Sequence, residues 1–216
     1  MLWKLSLGTT ALLGIYILQM DAVEWGRKLS ALVLLVAYGF VLIKAWRKQR
    51  STMPVLTGAD YIIAYATETG TARKIAYKTL KCVKRHKQAG QVIELNDLLT
   101  VPLPKKGLLV IASTSGQGDA PRTGRDWLKQ GINTQKILGL PYAVLALGDR
   151  NYRQFCGFGL KVDSILRGAG GQPMLEMQMV NQANHEQINY WYKSVEQFMV
   201  SINSINEKER LTSALE

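Results

Sequence analysis

The stretch Tyr61 to Ala72, YIIAYATETGTA, constrains the fold more than any other part of the chain. It reads as a buried strand over Tyr61 to Ala66, then a loop of hydroxyl side chains with one glycine, then a helix starting near Thr71. A strand that ends in such a loop at a helix N-terminus makes a phosphate pocket, because unpaired backbone N–H groups and the helix dipole converge on the anion. Thr67, Thr69 and Thr71 add hydroxyl donors, and Gly70 permits close backbone approach. The loop has neither the Lys of a Walker motif nor the spaced glycines of a dinucleotide fingerprint, so a phosphate monoester fits better than a nucleoside triphosphate or NAD.

From Asp60 onward, strand and helix patterns alternate without an internal repeat. Helices are expected over Thr71 to His86, Asp119 to Gln130, Phe155 to Leu166 and Glu186 to Ile202. The later strands are expected over Gln91 to Leu95, Leu108 to Ser113, Tyr142 to Leu147 and Met174 to Val180. Runs such as GLLVIAS and YAVLALG are apolar on both faces, as strands covered by helices on both sides must be. The pattern predicts one doubly wound α/β domain with a parallel five-stranded sheet.

In such a sheet, ligands bind beyond the carboxyl ends of the strands, where the strand order reverses. That rule selects three loops: Thr67 to Thr71, Thr114 to Asp119 and Gly148 to Phe155. In the second, Gly116 and Gly118 let the backbone lie flat against a planar ligand. In the third, Tyr152 follows a Gly-Asp turn, where its ring can stack on that ligand. Each loop alone reads as an ordinary turn, but three at one sheet edge read as a ligand site.

The segments ATETGTA, STSGQGD and LALGDRNYRQFCGFGLKVDSIL carry a resemblance. Together they resemble the FMN-binding, flavodoxin-like domain of the diflavin reductases, in wording most like that of the bacterial sulfite reductase flavoprotein, over about residues 60 to 200. The resemblance implies a sheet of order 2-1-3-4-5 and FMN as cofactor. It further implies that Thr67, Glu68, Thr69, Gly70 and Thr71 hold the phosphate and that Thr114, Ser115, Gly116, Gln117 and Gly118 line one side of the ring system. Tyr152 would stack on a ring face, with Gly148, Asp149, Asn151 and Phe155 around it. In such proteins a small residue in the second loop lets a peptide rotate, so that its carbonyl accepts the hydrogen gained on reduction; Gly116 stands at that position, which favours one-electron transfer.

The chain departs from that family in four ways. Ser115 stands where many relatives have an aromatic ring, and Val180-Asn181-Gln182 where relatives often have acidic residues. Most such domains are acidic for docking to basic heme proteins, whereas this chain carries a net charge of +11. The chain also ends at Glu216 after a polar stretch, 205 to 216, without the FAD- and NADPH-binding half of a diflavin reductase. The expectation is a carrier fed by a separate NAD(P)H-dependent flavin reductase. The alternatives are a fragment or subunit of a sulfite reductase-like NADPH reductase, an NAD(P)H:quinone reductase, or a non-redox scaffold.

The first 50 residues are of another kind. Two apolar runs, about 5 to 20 and 29 to 45, flank Asp21-Ala-Val-Glu-Trp-Gly-Arg-Lys28, with Trp3, Trp25 and Trp46 where interfacial aromatics belong. Each run is at the short end of the roughly 17 to 25 residues that cross a hydrocarbon core. They read as two transmembrane helices, with one signal peptide plus one anchor as the alternative. Lys44, Arg47, Lys48 and Arg50 close the second run, so the positive-inside rule puts the linker, 51 to 59, and the domain, 60 to 204, on the cytoplasmic side of the inner membrane.

A basic stretch from Arg73 to Lys87 suits anionic lipid or an acidic partner, and equally a solvated helix face. Nucleic acid is disfavoured, because no aromatic residues interleave the charges and no recognition motif is present. Acceptors expected at the membrane are a heme protein, an iron–sulfur protein, a ferric reductase or quinone. Cys82, Cys156, His86 and His185 have no ligand-like spacing, so no metal site is expected.

Overall fold

Side-chain alternation along the strands sets the layers. The computed structural model describes residues 31–42, 59–130 and 137–213. The chain divides into two compact units, Met1–Pro54 and Val55–Glu216.

In the second unit, β1 (Tyr61–Ala66), β2 (Gly90–Glu94), β3 (Gly107–Ser113), β4 (Pro141–Gly148), β5 (Gln172–Pro173) and β6 (Gln178–Asn181) form a parallel sheet. Its order is β2-β1-β3-β4-β5, with β6 also paired to β4, so the expected 2-1-3-4-5 order is present. The connecting helices are α1 (Thr71–Arg85), α2 (Arg125–Gln130), α3 (Gly157–Gly168) and α4 (His185–Ser213). Every residue of β1 is buried. Ile62, Ala64 and Ala66 enter one core with Trp127 of α2 and Phe158, Val162 and Leu166 of α3. Tyr61, Ile63 and Tyr65 enter the other with Ile75 and Val83 of α1 and Trp191 and Val195 of α4. Burial on both faces is why the strand sequences are continuous apolar runs. On the second face, Trp191 Nε1 donates to Thr79 Oγ1 at 3.0 Å, and that hydroxyl donates to the Ile75 carbonyl at 3.0 Å. The buried polar atoms that join α4 to α1 are thereby satisfied.

Three elements differ from the sequence reading. The helix expected from Asp119 starts only at Arg125. Residues 119–124 are held otherwise: Asp119 pairs with Ser115, and Asn96 Oδ1 caps α2 by accepting from Asp126 N and Trp127 N, each at 3.1 Å. The strand expected over Met174 to Val180 is two short strands. β5 meets Pro141 and Tyr142 and β6 meets Leu145 to Gly148, so four residues, 174–177, span the two positions 143 and 144 and bulge from the ladder. The last helix runs to Ser213 and takes in much of the stretch read as a polar tail.

Phenol burial sets an alkaline limit on stability. Burial first, then Glu94, pushes Tyr65 up to about 12; burial first, then Asp163, does the same to Tyr142, and burial does so to Tyr192. A folded-state pKa above the unfolded value of about 10 means stability that is complete below pH 10 and lost as pH rises through 12. The buried thiols Cys156 and Cys82 are raised in the same sense from a lower starting value, so chemical denaturation midpoints are expected to be level from pH 7 to 8, to begin falling near 9 and to fall further between about 10 and 12. A midpoint unchanged at pH 11 would contradict this.

In the first unit, residues 31–42 are helical, and Leu32, Val33, Leu34, Val36, Phe40 and Val41 are each more than half exposed. Among the described residues no helix is long and apolar enough to cross a membrane. The run 5 to 20, the remainder of 29 to 45 and the linker up to residue 58 lie outside the described residues.

Candidate cofactor site at the carboxyl edge of the sheet

Parallel register brings the carboxyl ends of β1, β3 and β4 to one edge, since Ala66 faces Ala112 and Ser113 faces Leu147. The three loops selected from sequence therefore lie side by side.

The first loop is built around Thr67, which is buried. Its hydroxyl accepts from Gly70 N at 2.9 Å, closing the turn into α1. Gly70 is left-handed, φ 96°, a conformation that costs a side-chain-bearing residue about 1–2 kcal/mol. No side chain caps α1, and its first turn holds no acidic residue. The N–H groups of that turn are thus open to an external anion, and the dipole of the fifteen-residue helix adds to them. Thr69 is exposed and Thr71 half-buried, both beside this turn. Glu68 is directed elsewhere: its Oε2 accepts from Arg122 N at 2.8 Å, so the carboxylate braces the second loop.

The second loop is a tight reversal. Ser115 N donates to the Asp119 carbonyl at 3.0 Å and Asp119 N to the Ser115 carbonyl at 2.8 Å, enclosing Gly116, Gln117 and Gly118. Gly116 and Gly118 have φ of 51° and 109°, and a Cβ on Gly118 would collide with the Gln154 side chain of the third loop. Thr114 Oγ1 is buried with no hydrogen-bond partner. A buried hydroxyl in that state costs about 1–3 kcal/mol, which a ligand's polar group at this edge removes.

The third loop is pinned by Asp149, whose Oδ1 accepts from Asn151 N at 2.9 Å and from Gln182 Nε2 at 3.2 Å. Tyr152 N donates to the Asp149 carbonyl at 3.1 Å, and the Tyr152 ring is 46% exposed, free to meet a planar ligand. Phe155 lies under the Arg150 guanidinium, 5.3 Å from ring centroid to Cζ. Gly148 packs on Cys156, where a Cβ would sit 2.6 Å from Cys156 N. Cys156 itself is buried, and burial pushes its thiol up to about 11. Burial also raises Cys82, so neither sulfur is a reactive thiolate at neutral pH. Among the described residues no group of His, Cys, Asp or Glu is placed to hold a metal ion.

Thr123 and Asn96 hold this edge together, and neither was selected from sequence. Thr67 N donates to Thr123 Oγ1 at 2.7 Å, and Thr123 Oγ1 donates back to the Thr67 carbonyl at 3.0 Å. Asn96 Nδ2 donates to the Arg122 carbonyl at 3.0 Å, and Asn96 N to the Thr123 carbonyl at 3.1 Å. Thr123 lay within an expected helix, and Asn96 acts across about 26 to 31 residues, so local pattern carried no signal for either. A groove of about 450 Å³ lined by Glu176, Gln178, Tyr190, Ser194 and Phe198, among others, shares no residue with the three loops.

A family model described as flavodoxin matches residues 63–191. NADPH–cytochrome P450 reductase of Bos taurus is 31% identical over 130 residues, which is 56% of this chain and 19% of that protein. The sulfite reductase (NADPH) flavoprotein alpha-component of Photobacterium profundum is 34% identical over 117 residues, 53% of this chain and 19% of that protein. The chain thus spans about a fifth of the length of these curated relatives. Among solved structures, a single-site variant of Pseudomonas aeruginosa flavodoxin superposes with a TM-score of 0.56 at 20% identity, covering 66% of this chain and 98% of that one. Oxidised flavodoxin 1 of Bacillus cereus superposes with a TM-score of 0.52 at 18% identity, covering 64% and 95%. These two show the shared fold. With the family match spanning more than half of the chain, and with an anion-ready loop and two glycine- and aromatic-bearing loops at one edge, this chain belongs to the flavodoxin family and carries an FMN-binding electron-transfer domain related to those of the diflavin reductases.

Proposed function

We propose that this protein is a membrane-attached carrier that passes single electrons from a separate NAD(P)H-dependent reductase to an acceptor at the membrane. The observation that carries the reading is the meeting, at one sheet edge, of an uncapped helix N-terminus with a buried, unpartnered hydroxyl, Thr114 Oγ1. FMN, when bound, supplies a centre that exchanges electrons singly or in pairs. The chain's residues do the rest. The first turn of α1 with Thr67, Thr69, Gly70 and Thr71 holds the phosphate, while Glu68 fixes the distance to the second loop. Thr114, Ser115, Gly116, Gln117 and Gly118 would line the ring system, and Gly116, whose peptide no Cβ hinders, would leave its carbonyl free to accept a hydrogen bond from a reduced ring. Tyr152 offers a stacking face, framed by Gly148, Asp149, Asn151 and Phe155.

Membrane attachment is supported by the apolar runs 5 to 20 and 29 to 45, by the cations Lys44, Arg47, Lys48 and Arg50, and by the apolar side chains exposed on the helix over 31–42. With these cations on the inner face, the flavodoxin domain faces the cytoplasm. Attachment confines donor and acceptor to one surface, so weak docking suffices. The acceptor is a heme, an iron–sulfur or another redox centre.

The test is an anaerobic titration of the detergent-purified full chain. Its flavin absorption is expected to be unchanged by NADPH alone and bleached by dithionite. Rapid bleaching by NADPH alone would replace the carrier with a self-sufficient NAD(P)H:quinone reductase, and no bound flavin after added FMN would end the redox reading. Alkaline carbonate washing of cell membranes should leave the chain in the pellet; its release would remove the attachment.

Thr123 is the positioning residue of this site. Thr123→Val keeps the shape but removes both hydrogen bonds to Thr67, leaving its buried N–H and carbonyl unpaired at about 1–3 kcal/mol each. FMN affinity, from fluorescence quenching of the apoprotein titration, is expected to fall about 10- to 100-fold, and Thr123→Ser to restore it. Equal losses in both variants would show that the methyl group, not the hydroxyl, does the positioning.

A further inference from the structure

Positive charge is concentrated at the cofactor edge and along the helix that leaves it. α1 carries Arg73, Lys74, Lys78, Lys81, Lys84 and Arg85 and no acidic residue. Arg122, in the segment after the second loop, Arg125, at the start of α2, and Arg150 and Arg153, in the third loop, are also exposed. Ion pairs among the described residues are Arg85 and His86 with Glu196, Lys106 with Asp60 and Arg167 with Asp163, so of these cations only Arg85 has a carboxylate partner. Arg73 rests over the Tyr77 ring at 5.8 Å and Arg150 over Phe155 at 5.3 Å, so aromatic faces hold two of them while leaving the charge uncancelled. The acids near this edge are exposed or half-buried, and three of them are held by hydrogen bonds. Glu68 accepts from Arg122 N, Asp126 from Asn96 Nδ2, and Asp149 from Asn151 N and Gln182. Asp119 is exposed at the loop reversal, and Glu94, which accepts from the Tyr65 hydroxyl, and Asp97 lie half-buried at the end of β2, so six acids stand against the ten cations named above. A bound phosphate adds about two negative charges at the α1 N-terminus, where backbone N–H groups meet it, and leaves the arginines of the other loops unmatched.

Resting on the carrier reading above, we propose that this edge is the docking surface for a redox protein whose own docking face is acidic, with Arg122, Arg125, Arg150 and Arg153 in contact and the lysines of α1 steering the approach. Arg150 and Arg153 stand on the third loop and Arg122 and Arg125 just beyond the second, at the end of the sheet through which electrons must leave, which is where contact charge shortens the transfer path. A lipid surface seated on the same arginines would cover that exit. Complementary charge raises encounter rates and fixes orientation, and both effects weaken as salt screens them.

The test uses the full chain in neutral detergent, loaded with FMN, with flavin content measured first. Reduced anaerobically, it is mixed with ferricyanide or with hexaammineruthenium(III) at ionic strengths from about 10 to 500 mM, a range over which the Debye length shrinks from about 30 Å to about 4 Å. Each event moves one electron from reduced FMN to the metal complex, iron(III) becoming iron(II) or ruthenium(III) becoming ruthenium(II), with the ring's proton released to water. The ferricyanide rate is expected to fall about three- to tenfold with salt and the ruthenium rate to stay level or rise. Arg125→Glu with Arg153→Glu should flatten or invert the ferricyanide response while flavin content is kept. A ferricyanide rate that rises with salt, or a double variant that responds like the parent, overturns the proposal with the carrier reading intact. The proposal is also overturned if the double variant leaves the kinetics untouched while Lys78→Glu with Lys81→Glu lowers retention on phosphatidylserine-containing vesicles but not on pure phosphatidylcholine, which would assign the basic face to lipid. Absence of flavin after loading overturns the carrier reading itself, and the docking face with it.

Discussion

Gly70→Asp is expected to lower FMN affinity about a thousandfold while leaving a folded protein. A Cβ on Gly70 meets nothing within 4 Å, so the pocket admits the side chain. Aspartate is among the residues that tolerate the left-handed conformation this position requires, φ 96°. Its carboxylate then stands where the phosphate, with about two negative charges, is to be held by the α1 N-terminus. At about 5 Å and an effective dielectric of about 20 the repulsion amounts to several kcal/mol, and about 4 kcal/mol is a thousandfold in affinity. Gly70→Asn has nearly the same shape and no charge, so it should stay within about tenfold of the parent. Equilibrium titration of apoprotein with FMN separates the outcomes. Equal losses in both variants would trace the effect to backbone shape, and retention of flavin by the aspartate variant would move the phosphate away from this loop.

Gly159→Val should cost about 3 kcal/mol of stability or more, a fall in melting temperature of roughly 10 °C. Gly159 lies in the first turns of α3 where the helix crosses β4, and a Cβ there would run into the Ala146 side chain and come 3.1 Å from Ala146 Cα. Strand backbone in the middle of a sheet cannot yield as a flexible side chain does, so the helix itself must lift. The milder Gly159→Ala should be partly rescued by Ala146→Gly, which vacates the contested volume. Calorimetry of the apoprotein reads both. A shift of less than 2 °C in Gly159→Val would show that α3 rides higher on the sheet than its contacts indicate.

Much of the architecture was legible along the chain because doubly covered strands leave short, continuous apolar runs bounded by turn residues, and YIIAYA of β1 is one, buried at all six positions. That the loops after β1, β3 and β4 lie side by side was legible for a related reason, since carboxyl-end loops of parallel strands must share an edge whatever the details of packing. Less legible were features whose partner lies far along the chain. The start of α2 is set by Asn96, which no helical periodicity near Arg125 discloses. The break between β5 and β6 arises because 174–177 must cover a shorter length of β4 than their number allows, which depends on register rather than propensity. Glu68 read as part of a phosphate loop by its neighbours, yet Arg122 N draws its carboxylate across to the second loop.

The order of elements, the apolar strands, the hydroxyl-bearing loop at Thr67 to Thr71 and the glycines at 116 and 118 follow from the amino-acid order alone. Each depends on residues within one or two turns of one another, where sterics and hydrogen bonding are local. Only the folded arrangement selects Thr123 as the latch of the first loop, joins the Glu68 carboxylate to Arg122 N, and sets Asn96 against the start of α2. The reason is geometric: parallel pairing of β3 with β4 decides which distant loops become neighbours, and a hydrogen bond or a field between them exists only once that register is set.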